Sequence, residues 1–199
     1  MGGIILEEHR KDEILAKASE VNAASEKYQL IHATFAIEKL FKDKIQQTYA
    51  AEFSAIREEL LEASDADKQQ ELMHRAKKLQ KESTQKIRVI VEYLPQIKYG
   101  SARITKTENN NFQIILPKEM ENIRKTDGTI DFEKLKDLRR LMAHELGHIM
   151  LHSGVLDEQN VKDVNDGSDE EADFFAETLI DLRKQRNLEI HEDSHYREI

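Results

Sequence analysis

Residues 141–152 read LMAHELGHIMLH, with His144 and His148 four apart and Glu145 directly after the first. On a helix, residues four apart stand one above the other on the same face, so both imidazoles can address a single ion. Glu145, one position on, points to the side of that ion, where a carboxylate can take a proton from an activated water. Zinc accepts neutral histidine nitrogens at about 2.0–2.1 Å, and catalytic zinc keeps one position for water beside three protein ligands. The ion brings the pKa of that water down to roughly 7. The spacing therefore predicts a Zn2+ centre with His144 and His148 as ligands and Glu145 as general base.

The plainer alternative is an amphipathic helix carrying two solvated histidines. Its flanks argue against that, since Leu141, Met142, Ala143, Leu146, Gly147, Ile149, Met150 and Leu151 are all uncharged. Such a helix is buried all round, and buried His and Glu side chains require partners, which one metal gives to all of them. Gly147 costs the helix about 1 kcal/mol relative to Ala, which implies another backbone packed closely beside the site.

A third protein ligand must come from elsewhere, and the acidic start of DEEADFFAETL (169–179) is the best source. Acids there also offset a helix dipole without binding anything. At about 100° per residue, Asp169 lies roughly 70° from the centre of the Ala172, Phe175, Ala176 and Leu179 face, and Glu171 roughly 90°. Asp169 is the first choice and Glu171 the reserve. His152 stands two turns beyond His144, about 12 Å along the axis, too far to share the ion. It is expected to support a ligand or end the helix. His191 and His195 repeat the four-residue spacing on a polar tail without an adjacent glutamate, which reads as chance, and His9, His32 and His74 stand alone.

Seven Gly and two Pro in 199 residues leave few breakers, so long helices are the default. Helical spacing runs over 11–48, with a weak break near 25–29, and continues over 50–61. A turn at 62–69 with Ser64 or Asp65 as N-cap leads to a second helix over about 66–87, making a helical hairpin. Residues 87–97 read as a strand or the end of that helix. SARIT (101–105) and NFQIILP (111–117) are strand-like, and KTENNN between them has hairpin turn chemistry. Asp131 is the expected N-cap of the HELGH helix and Gly154 its end. Ser168 and Glu171 form a capping-box pattern opening the last helix.

A net charge of −9 disfavours a nucleic-acid partner, because phosphate binding needs a basic surface. The cluster Arg75, Lys77, Lys78 and Lys81, flanked by acids, reads as a solvated face. Without cysteine there is no disulfide framework and no thiolate ligand, as suits a reducing cytoplasm. No apolar run reaches 18 residues, and MGGIILEEHR carries neither a signal-peptide core nor the Ser or Thr at position six of a myristoylation signal. A cytoplasmic protein with no membrane partner is expected.

RRLMAHELGHIMLH (139–152) followed by DEEADFFAETLI (169–180) resembles the ImmA/IrrE-type zinc metallopeptidases. That family carries an HELGH helix often ending in Leu-His, then a helix patterned E-x-x-A-x-x-F-A-x-x-L-L. The resemblance covers roughly 97–183 and implies a minigluzincin-like core with the third zinc ligand at Asp169. It also implies a bacterial or phage regulatory peptidase that cleaves transcriptional repressors, often of phages or mobile elements. Asp169 stands where Glu is commoner, and LIDLR (179–183) replaces the usual Leu-Leu-Met-Pro ending.

The expected fold is α+β and mostly helical: a zincin-like core with a small antiparallel sheet and the HExxH helix, plus an N-terminal helical region with a long hairpin. The expected division is a helical region at 1–92 that contacts a partner or covers the cleft, a peptidase core at 93–186 and a polar tail at 187–199. The expected function is zinc-dependent cleavage of a specific intracellular protein. The alternatives are a zinc-binding regulator that cleaves nothing and acts through its helices, and a helical interaction protein whose HExxH binds no metal. Tyr99, His152 and His195 are the candidates for stabilising an oxyanion.

Overall fold

Scarce breakers and regular apolar spacing give five α-helices and three strands among the residues described by the computed structural model, namely 6–25, 31–83, 87–98, 103–106, 111–154 and 168–191. The helices are α1 (Glu8–Ala24), α2 (Ile31–Glu62), α3 (Ala66–Ser83), α4 (Phe132–His152) and α5 (Asp169–His191). The strands are β1 (Val89–Leu94), β2 (Arg103–Lys106) and β3 (Phe112–Pro117), with a short 3-10 turn at Lys118–Met120.

α1 stops where expected: the Ser25 N–H and hydroxyl both donate to the Val21 carbonyl, at 3.1 and 2.7 Å. α2 runs unbroken for 32 residues. It turns at residues 63–65 into α3, where the Asp65 carboxylate accepts from the Asp67 N–H and acts as the cap. Ile56, Ala63, Leu72 and Leu79 form a small apolar cluster between α2 and α3. Arg75, Lys77, Lys78 and Lys81 are exposed, while Phe35, Leu61 and Met73 lie on the water side of their helices rather than inside.

The sheet is mixed, with strand order β1-β3-β2, which corrects the antiparallel expectation. β2 pairs antiparallel to β3, as a hairpin must, whereas β1 pairs parallel to β3 from Val89↔Phe112 to Leu94↔Pro117. The reason is topological: β2 occupies one edge of β3, so β1 takes the other, and it runs in the same direction as β3. Residues 87–97 thus contribute a strand, not the end of a helix. Along β3, Phe112, Ile114 and Leu116 point inward and are fully buried, the period of two that one covered face produces.

The main core joins Ile14, Ala18 and Val21 of α1, Ile37 and Phe41 of α2, Phe112 and Ile114 of β3, Leu146 and Ile149 of α4, and Phe175 and Leu179 of α5. The first two helices therefore share one core with the HELGH helix. The boundary expected after residue 92 falls inside β1, because that strand is hydrogen-bonded along its length to β3. α5 continues to His191, beyond the expected end of the core at residue 186. No described helix is long and apolar enough to cross a membrane.

Candidate metal centre

α4 begins at Asp131, whose carboxylate accepts from the Lys134 N–H at 3.3 Å, and ends at Gly154, which adopts φ 69°. Glycine favours this left-handed geometry at helix ends because it has no Cβ to clash. From Met142 to His152 every residue is buried except His144, which is half-buried. α5 opens at Ser168, whose hydroxyl accepts from the Glu171 N–H at 3.3 Å. The other half of the expected capping box is replaced: the Glu171 carboxylate is committed to Arg10 and His152.

The two helices meet at Gly147. A Cβ there would stand 2.9 Å from the Ala172 carbonyl oxygen and 3.0 Å from Ala172 Cα, so only glycine permits this approach. That contact sets the first turn of α5 against the histidine face of α4. Gly147→Ala is expected to destabilise the fold by about 1–3 kcal/mol, because the backbone clash outweighs the helix-propensity gain of about 1 kcal/mol. Chemical denaturation checks this, and a stabilised variant would contradict the packing.

Three ligand atoms converge on one point. His144 Nε2 and His148 Nε2 are 3.1 Å apart, and Asp169 Oδ1 lies 3.3 Å from His148 Nε2 and 3.8 Å from His144 Nε2. These residues form a possible metal-binding triad. A tetrahedron with arms of 2.0–2.1 Å has edges of about 3.3–3.4 Å, so the triad is sized for an ion of that kind. Asp169 is 78% exposed, which leaves the centre open on its α5 side.

Hydrogen bonds behind the rings decide which nitrogens face the centre. His144 Nδ1 lies 2.8 Å from Asp173 Oδ1. A carboxylate only accepts, so Nδ1 carries a proton, and in neutral His144 Nε2 then presents its lone pair. His152 Nε2 lies 2.9 Å from Glu171 Oε2, so in neutral His152 Nε2 donates and Nδ1 accepts. That Nδ1 is 3.2 Å from His148 Nδ1, which then donates, and the His148 Nε2 lone pair also faces inward. Burial pushes His148 down to about 4, helped by the nearby His144 and His152 and opposed by Asp169, so it is neutral near pH 7. Two lone pairs and a carboxylate oxygen thus point at each other, an arrangement that calls for a cation between them.

Glu145 is buried beside them. Loss of hydration raises its carboxyl to about 7, with His144 acting to lower it and Asp169 to raise it. Glu171 is held down to about 2, chiefly by its hydrogen bond from Arg10 and, against the effect of burial, by His152. Arg10 donates from Nε at 2.8 Å and from Nη2 at 2.6 Å, a bidentate fork.

Of the residues singled out in the sequence, His144, His148 and Asp169 come together, and Glu145 lies against them. Glu171, the reserve ligand, instead anchors His152 from the far side. His152 is spent between His148 and Glu171, which removes it as an oxyanion donor. Tyr99 and His195 lie outside the described residues. Sequence reasoning missed Asp173 and Arg10. Asp173 stands one turn from Asp169 but about 40° further from the buried face of α5, so the wheel that ranked Asp169 first gave no reason to choose it. Arg10 extends the buried Ile14, Ala18 and Val21 stripe of α1 by one turn, and a charge on such a stripe needs a partner.

Comparison of the chain with protein-family models, with curated proteins and with solved structures gave no match. The functional reading therefore rests on the centre itself and on the motif.

Proposed function

We propose that the chain is a zinc-dependent endopeptidase that cleaves a specific intracellular protein. The observation that carries this is the convergence of two imidazole lone pairs and the Asp169 carboxylate beside a buried glutamate. Two neutral nitrogens and one carboxylate suit zinc better than magnesium or calcium, which prefer all-oxygen shells. His144, His148 and Asp169 would hold it, and bound zinc supplies Lewis acidity toward a carbonyl and acidifies a water.

Glu145 does the proton work. Its carboxylate accepts the proton of the attacking water, and its carboxyl then returns that proton to the departing amine nitrogen. Burial raises this carboxyl to about 7 in the metal-free chain, and a cation beside it would favour the ionised form that accepts the proton. Asp173 holds the His144 ring, and His152 holds that of His148. On this reading, α4, α5 and the sheet constitute a minigluzincin-like core, and the resemblance of 139–180 to repressor-cleaving peptidases makes a transcriptional regulator the preferred substrate.

The test is to load the chain with zinc, incubate it with a cytoplasmic protein extract and label newly formed N-termini. Cleavage at defined sites is expected, reduced roughly 10²–10⁴-fold in Glu145→Gln, which keeps its zinc. Identical termini from the native chain and the variant would overturn the peptidase reading in favour of a zinc-binding regulator acting through its helices.

A further inference from the structure

Arg10 sits on α1 and reaches a carboxylate 161 residues away in sequence. Its fork closes on both oxygens of Glu171, and Glu13 braces the remaining nitrogen at 2.7 Å. Both Arg10 and Glu171 are largely shielded from water. The Glu171 oxygen that accepts from Arg10 Nη2 is also the one that meets His152 Nε2. His152 in turn meets His148 Nδ1. An unbroken line of polar contacts thus leads from the N-terminal helix to the back of a metal-facing imidazole.

We propose that Arg10 is a positioning residue for the metal centre: from α1 it fixes the Glu171 carboxylate, which sets the His152 ring and, through it, the orientation and tautomer of His148. This rests on the metal-centre reading above. A carboxylate held by two parallel bonds cannot swing, whereas one released from Arg10 is free to turn toward water, since the first turn of α5 is partly open. His152 then loses the contact that decides which of its nitrogens donates, and His148 no longer has a fixed Nε2 lone pair. The α1 segment is therefore a structural part of the centre, although it lies far outside the motif that marks it.

The test compares zinc affinity by chelator competition in the native chain, Arg10→Met, Arg10→Lys, His152→Phe and the double variant Arg10→Met/His152→Phe. Supporting contacts of this kind change metal affinity by about 10–100-fold, and Arg10→Met is expected to lose about tenfold. Arg10→Lys, which keeps the charge but not the fork, should fall between. In the His152→Phe background, Arg10→Met should cause no further loss, because the line is already cut. ¹⁵N NMR of the metal-free chain should show the His148 proton on Nδ1 in the native protein and shared between both nitrogens in Arg10→Met. Equal zinc affinity in the native chain and Arg10→Met, or an undiminished loss without His152, would overturn the proposal and leave Arg10 as a packing contact. A native chain that takes up no zinc would overturn the metal centre itself. The His148 tautomer would then still decide whether Arg10 controls that ring.

Discussion

Zinc at a thousandfold excess over its dissociation constant is expected to raise the thermal midpoint of the native chain by roughly 8–16 °C, and that of Asp169→Ala by a small fraction of this. An ion that binds only the folded state stabilises it by about 4 kcal/mol at that excess, and each kcal/mol moves a chain of this length by about 2–4 °C. Asp169 makes the comparison clean. Its side chain is exposed, so in chelator its removal should change stability by no more than about 0.5 kcal/mol. The difference between the two proteins then reports the third ligand alone. His148→Ala should lose the zinc response as well, but it also empties a buried ring site and leaves His152 Nδ1 without its donor. Its midpoint should therefore be lowered even in chelator. Calorimetry with and without zinc decides the matter. A native chain whose midpoint does not move, or an Asp169→Ala variant that responds fully, would sink the three-ligand site.

What could be read in the sequence divides according to how local the signal is. HELGH, its uncharged flanks and the Asp131 and Gly154 ends all belong to one helix, and i, i+4 spacing alone fixes which side chains share a face. Gly147 announced close packing because its cost in a helix is local, although the partner, Ala172, is not. Asp169 was within reach because a helical wheel needs only its own helix. The parallel pairing of β1 was not legible, since direction in a sheet depends on which edge of β3 is already taken. Nor was the diversion of Glu171 from its capping box. The pattern S-x-x-E offers a local partner, and it was overridden by an arginine arriving from α1, whose position is set by the core around Ile14, Ala18 and Val21. Local rules picked out the three residues of the possible metal-binding triad; the side chains that hold them depend on how distant helices pack.

In metal-free protein, Glu145→Gln is expected to raise the thermal midpoint at pH 8 by roughly 2–8 °C and to have little effect below about pH 4.5. The sign follows from burial. The Glu145 carboxyl rises from an ordinary 4.5 to about 7 because the folded chain strips water from its charged form. A group raised in the folded state contributes most below its unfolded value, where it is neutral in both states. That contribution is lost as pH climbs through about 7 and the buried carboxylate becomes charged. At 1.36 kcal/mol per pH unit, the full displacement is worth about 3 kcal/mol. Glutamine keeps the shape and removes the charge, but it buries an amide that also wants partners, so about 1–2 kcal/mol of gain should survive. Zinc reverses the balance, because a cation beside Glu145 favours its ionised form, and the advantage of glutamine should shrink when zinc is present. The measurement is the difference in midpoint between variant and native chain from pH 4.5 to 8.5, in chelator and then in zinc. A difference that stays flat across this range would put the Glu145 carboxylate in water rather than in the wall of the centre, and with that its placement beside the metal-facing histidines would fail.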